Sequence, residues 1–369
     1  DLKRVETALM ELFTTRNHWT PWKLNAIAAW FEGGGNRRPL SPQLRPLAEK
    51  AIQDARKLAG SETTSVPLRM AALGLLGRDP ATRKADLEAL VALISPQQPP
   101  DVQTAAAERL LQIDSDQVPT LLLAGWSGYL PGIRSRILEK LLSRDKWAAE
   151  LVAALEAGTV AVGDLDAPRR QRMRDHSSPV VRQAAQRLFA QTTSSERQKI
   201  IDRYRAEITR MDPAAADINI GKQLFEKRCS ICHRLGQVGH SVGPDLISSI
   251  SKPLDEWLIA LIDPNRAVEP RYTSYTLTTR YGTTVSGIMH IQTDAWLKLL
   301  LPNAETAMLH RYQIEEMSNS GKSLMPEGFE NDLKPVDTAH LLAYIRGFGR
   351  GQRKVVAGNQ PELVQADPD

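Results

Sequence analysis

Two cysteines three positions apart, followed at once by a histidine, stand at Cys229-Ser230-Ile231-Cys232-His233. That spacing suits the covalent attachment of a c-type haem. On a helix-like turn both sulfurs reach the two vinyl-derived carbons of one porphyrin, while the nitrogen of the next residue meets the iron. Cys229 and Cys232 are the 2 cysteines of the 369-residue chain. Other readings compete. A structural zinc site wants four ligands, usually with a second Cys or His pair at short spacing, and the sequence offers no second pair. A thioredoxin-like redox pair wants C-x-x-C at the mouth of a βαβ unit, and no alternating β/α pattern surrounds this one. A chance match is the third, against which the use of every cysteine weighs. The expectation is one haem c per chain.

The composition, 42% hydrophobic and 24% charged, is that of a globular protein with room for two or three domains. No run approaches the roughly 18 apolar residues of a membrane span. The chain shows neither a signal peptide nor an initiator Met. Because haem attachment takes place outside the cytoplasm, the expectation is an exported, periplasmic protein whose leader is not included. Residues 1–210 carry 31 Lys+Arg against 24 Asp+Glu, and residues 211–369 carry 16 against 19. A basic half joined to an acidic half is compatible with an acidic partner for the first. Nucleic acid is not indicated, since the basic residues are scattered without aromatic interleaving.

The elements that must position the motif differ along the chain. From residue 1 to 193 the periodicity is helical, with breaks at Gly33-Gly34-Gly35, Pro67, Asp79-Pro80, Pro96 to Pro100, Pro131 and Pro179. Helix starts recur at Leu68-Arg-Met-Ala-Ala72, Val102-Gln-Thr-Ala-Ala106, Ile133-Arg-Ser-Arg-Ile137 and Val181-Arg-Gln-Ala-Ala185. Each leads into a Leu-rich turn, and the pattern resembles HEAT-type α-solenoids. Such a stack is either a partner-binding surface or a spacer. Trp19, Trp22, Trp30, Trp126 and Trp147 are expected in the core, and His18 and His176 at the surface. Residues 194–214 read as a charged connecting helix and linker.

Residues 215–350 form the expected haem domain. Asp217 caps a helix through Gly221, Leu224 and Phe225; Asp337 caps another with Leu341, Leu342, Tyr344, Ile345 and Phe348 on its apolar side. This Gly/aromatic pairing resembles the helix crossing of class I cytochromes c. That resemblance implies His233 as the proximal ligand, with the Pro244 carbonyl, in Gly243-Pro244-Asp245-Leu246, bonded to its ring. It also implies Met325, in Ser323-Leu324-Met325-Pro326, as the sixth ligand. Rivals for that place are His240, Met289, His290, Met308, His310, Met317 and His340. From about 272 to 317 the period changes to two, as in an antiparallel β-meander insert. Residues 351–369 read as an extended tail.

Taken together, helical repeats, Gly221-Lys-Gln-Leu-Phe225, C-x-x-C-H, G-P-D-L, Asp263-Pro264, the β insert and S-L-M-P resemble the haem-binding domain family of Pirellula/Verrucomicrobium type. The specific match covers about 215–349. In that family the cytochrome often closes a longer, membrane-bound dehydrogenase, behind a β-propeller. The implied fold class is mainly α, a HEAT-like solenoid followed by a class I cytochrome c with a small β insert. The implied activity is single-electron transfer between donor and acceptor proteins or a dehydrogenase domain, with no catalytic site of its own. Two alternatives stay open: a haem that binds a gas, and a helical scaffold with a subordinate cytochrome.

Overall fold

The computed structural model describes residues 2–14, 18–32, 41–190, 195–266 and 268–356. The first half is helical throughout: α1 (Leu2–Thr14), α2 (Pro21–Glu32), α3 (Arg45–Gly60), α4 (Val66–Leu73), α5 (Arg83–Ala92), α6 (Pro100–Gln112), α7 (Gln117–Ala124), α8 (Pro131–Leu141), α9 (Asp145–Glu156), α10 (Ala167–Arg174), α11 (Pro179–Ala190) and α12 (Ser195–Arg210). Several of the prolines that break the sequence pattern stand in first turns, as in α3, α4, α6, α8 and α10. There the missing N–H costs nothing and the fixed φ suits the helix. The three glycines 33–35 lie outside the described residues.

These helices pack in two rows. In one, α2 meets α4, α4 meets α6 and α6 meets α8; in the other, α3 meets α5, α5 meets α7, α7 meets α9 and α9 meets α11. Buried alanines such as Ala71, Ala72, Ala106 and Ala107 permit the close approach. Val181, expected as the equivalent of Leu68, Val102 and Ile133, lies on α11 in the second row. The first row continues instead through α10, where Arg169 bonds the Ser135 hydroxyl (2.6 Å) and Arg172 pairs with Glu139. The α10 sequence hid this, because its apolar contribution is the single buried Met173.

Arg69, Arg78, Arg109 and Arg134 of this half are buried. Arg69 donates to the Ala59 carbonyl (2.9 Å), Arg109 to Leu76 (2.8 Å) and Arg134 to Trp126 (3.1 Å). Burial, with Arg78 nearby, lowers the Arg109 pKa to about 10. Two further expectations change: Trp22 is 61% exposed, and His176 is buried, accepting from the Ser178 N–H at 3.1 Å.

The second half comprises α13 (Ile218–Arg228), a short hairpin of β1 (Arg234–Leu235) and β2 (Val238–Gly239), α14 (Leu254–Ile262), a five-stranded sheet, and α15 (Pro335–Val356). The sheet strands are β3 (Thr273–Thr279), β4 (Thr284–Gln292), β5 (Trp296–Leu300), β6 (Thr306–His310) and β7 (Ile314–Ser323). All pairings are antiparallel, in the order β6-β5-β4-β3-β7. The insert therefore extends to Ser323, and it is not a simple meander, since β7 crosses back to pair with β3. Its sequence, Ile-Glu-Glu-Met-Ser-Asn-Ser-Gly-Lys-Ser, is too polar to announce a strand.

One face of the sheet carries Tyr275, Leu277, Leu297, Leu299, Ile314 and Met317 into the same core as the helical rows. The Tyr275 hydroxyl donates to the Tyr129 carbonyl (3.1 Å), and Gln97 donates to that of Ile314 (3.0 Å). The opposite face places Ile288 and Leu300 against Val242 and Cys232. The sheet thus stands between the helical rows and the cysteine motif.

Asp217 caps α13, accepting from the Asn219 N–H (2.7 Å), and Asp337 accepts from the Lys334 N–H (2.9 Å) before α15. Helices α13 and α15 cross at Gly221, where a Cβ would lie 2.8 Å from that of Tyr344. Phe225 and Tyr344 meet there with ring centroids 5.8 Å apart. α15 runs six residues into the expected tail, and residues 357–369 lie outside the described part. Among the described residues no helix is long and apolar enough to cross a membrane.

Within the first half, Asp164 takes hydrogen bonds from Arg134 (2.8 Å) and the Trp126 indole (2.7 Å), both buried. Asp164→Ala strands the Arg134 charge and is expected to cost about 3–5 kcal/mol in denaturant unfolding. Glu108→Ala, which breaks the exposed pair with Arg136, is expected to cost less than about 1 kcal/mol.

Candidate haem site

The motif is the unwinding end of α13. The Cys229 N–H donates to Phe225 O at 2.8 Å, and the N–H groups of Cys232 and His233 donate to Cys229 O at 3.1 and 2.8 Å. The remaining carbonyls are also taken. Ser230 O accepts from His240 N (3.0 Å), Ile231 O from Asn303 N (2.8 Å), and Cys232 O from Val242 N and Gly243 N (2.9 and 2.7 Å). The loop just past the motif and the distant turn at Asn303 therefore both pin it. Gly239 sits at φ +88 with its missing Cβ directed at the His233 carbonyl, so a side chain there would be both strained and blocked.

The His233 imidazole is held from two sides. Its Nδ1 lies 2.8 Å from the Pro244 carbonyl oxygen. A carbonyl only accepts, so Nδ1 carries the hydrogen and Nε2 keeps its lone pair. Gly243 presses on the ring, where a Cβ would stand 2.5 Å from Cε1. Burial lowers the histidine pKa, with the Pro244 bond opposing it. Burial raises the Cys229 thiol to about 12 and also raises Cys232. Both cysteines are free, and neither is poised as a thiolate nucleophile.

Two apolar clusters edge the motif, and a third takes in Met325. Cys229 edges one made of Phe225, Leu246, Trp257, Leu341 and Tyr344; Cys232 and Leu324 edge a second with Val242, Ile288 and Leu300. Met325 edges the third, with Ile201, Tyr204, Leu258, Leu261 and Ile262. The loop that follows β7 thus brings Leu324 into the cluster of Cys232 and leaves Met325 beside it. The rival ligands go elsewhere. Met289 and Met317 pack on the sheet face toward the helical rows, and Met308 is 57% exposed. His310 is stacked between Trp296 and Tyr312; His240 and His290 are exposed. His340, expected on the polar side of its helix, is buried and accepts from the Asp217 N–H at 2.9 Å.

The residues present fit an iron porphyrin. The two thiols stand one turn apart, a neutral imidazole offers Nε2, and apolar clusters lie to either side. Trp257, which sequence reasoning passed over, adds a polar mark. Its indole N–H is buried without an acceptor in the cluster that contains Cys229. Leaving such a donor unmade costs about 1–3 kcal/mol, and a porphyrin carboxylate is an acceptor of the right kind. A lone Trp in Asp-Glu-Trp-Leu gives no sequence signal for that role.

No protein-family model matches this chain, and no curated protein matches it either. The functional reading therefore rests on the residues themselves.

A thiol whose pKa is raised by folding holds its proton in the folded chain where the unfolded chain loses it. The contribution of the Cys229 thiol in the haem-free protein is therefore expected to be fully present below about pH 8.5 and to fall by up to about 1.4 kcal/mol per pH unit above it. Urea unfolding between pH 8 and 10 measures this, and Cys229→Ala is expected to flatten the slope.

Proposed function

We propose that this protein is a mono-haem c-type cytochrome that passes single electrons, with Cys229 and Cys232 as thioether anchors and His233 and Met325 as axial ligands. The observation that carries the reading is the His233 Nδ1 bond to the Pro244 carbonyl, which leaves Nε2 free within the C-x-x-C-H turn. When bound, the iron porphyrin supplies the one-electron chemistry. The chain's own residues do the rest. Pro244 fixes the imidazole tautomer and raises its basicity. The Met325 thioether favours the reduced iron and raises the potential, while filling the place a substrate or gas would take. Apolar side chains around both cysteines exclude water, and Trp257 offers its N–H to a carboxylate.

The resemblance of residues 215–349 to the Pirellula/Verrucomicrobium-type haem domain agrees with this reading. It extends the reading to a periplasmic relay serving a dehydrogenase domain and an onward acceptor. The two rows of helices support a HEAT-like solenoid for the first half. An open surface pocket on these helices is lined by Glu108, Gln112, Arg136, Glu139 and Lys140.

Met325→Ala is expected to leave the haem attached, to lower the reduction potential by on the order of 100 mV or more, and to admit carbon monoxide to the reduced iron. Spectropotentiometry and carbon monoxide titration of the parent and variant test it. An unchanged potential with no new ligand binding removes Met325 from the iron.

A further inference from the structure

Met325 lies in the irregular stretch 324–334 between β7 and α15, where Gly328 adopts φ +93. A thioether ligand on a loose loop is a weak ligand, because the loop's freedom dilutes its effective concentration at the iron. Part of what holds this stretch comes from within the haem segment, as in the Arg228–Asp332 pair at 2.7 Å, and part from outside it. Helix α12, which reads in the sequence as a mere connector, lays one face along it.

Arg197 donates to the Ile262 carbonyl at the end of α14 and to Glu327, two residues past Met325, at 2.7 Å; its guanidinium also pairs with Glu330 at 3.8 Å. The next residue, Gln198, accepts from Arg266 at 3.0 Å. Ile201 and Tyr204 form the apolar cluster against which Met325 packs. The Tyr204 hydroxyl, donor to one acceptor at a time, lies 2.5 Å from the Leu333 carbonyl and 3.2 Å from that of Glu330. Asn265 completes the tie, donating to Glu327 (2.5 Å) and accepting from the Ser323 N–H (2.8 Å).

We infer that α12 is the strap that holds the sixth ligand in place, with Arg197 as its positioning residue. The helix fastens the Met325 loop at 327 and at 330–333, and Ile201 and Tyr204 support the methionine between α12 and α14. A planar guanidinium bridges a carboxylate and a carbonyl at once, which a lysine does not reproduce.

This inference rests on Met325 being the sixth ligand, and one experiment separates the two. Arg197→Gln, Arg197→Lys and Met325→Ala are made in the full chain, and carbon monoxide binding to the reduced protein is followed with the pyridine haemochrome as a check on haem content. The expected result is normal haem content in all three, with Arg197→Gln binding carbon monoxide at least tenfold faster than the parent. Arg197→Lys is expected to fall between them, and Met325→Ala to be fastest. If Met325→Ala is fast and Arg197→Gln binds at the parental rate, the strap is wrong while the ligand stands. If Met325→Ala binds no faster than the parent, ligand and strap both fall. Should Arg197→Gln yield no folded protein, Glu327→Gln removes the same ion pair from the other side. It is expected to speed binding as well, and a parental rate there overturns the strap.

Discussion

One hydrogen bond, from the His233 ring to the Pro244 carbonyl at 2.8 Å, orders the chemistry of this molecule. It decides which nitrogen keeps a lone pair, and in which direction that lone pair points. Much of the surrounding loop exists to make the bond possible. The Cys232 carbonyl takes the N–H groups of Val242 and Gly243, which brings the Gly243-Pro244 turn onto the ring. Gly243 has no side chain where one would strike the imidazole. Replace either feature and the histidine is free to rotate, leaving two thiols with no oriented base beside them.

The β insert supplies part of what covers the motif. Its strands offer one apolar face to the helical rows and another, through Ile288 and Leu300, to Cys232. The turn after β5 reaches further, donating from Asn303 to the Ile231 carbonyl inside the motif itself. Asn303 and Ala304 hold positive φ there, a conformation non-glycine residues seldom keep unless the contacts around them require it. A segment that reads in the sequence as an interruption of a small domain is thus the layer through which both halves touch.

What was legible in the sequence was local. The C-x-x-C-H spacing, the Asp217 cap, the Gly221/Phe225 face and the alternation of Tyr275 and Leu277 all lie within one element, where period and residue type suffice. What escaped depends on partners far along the chain. Polar β7 is a strand because β3 offers it a ladder, α10 is a row member because Ser135 and Glu139 receive its arginines, and His340 is buried because the Asp217 N–H needs an acceptor. The same holds for charge. A count of Arg and Lys does not show that Arg69, Arg109 and Arg134 face carbonyls inside.

The central proposal is a porphyrin tethered to Cys229 and Cys232, and its most direct test is chemical. The chain is produced in a periplasm equipped for haem attachment, denatured, extracted with acid acetone, and its reduced pyridine haemochrome spectrum is recorded. The expected result is colour that stays with the protein, with the α band of a haem joined through two thioethers, lost in the Cys229→Ala, Cys232→Ala double variant. Colourless protein, or colour that leaves with the solvent, would contradict it.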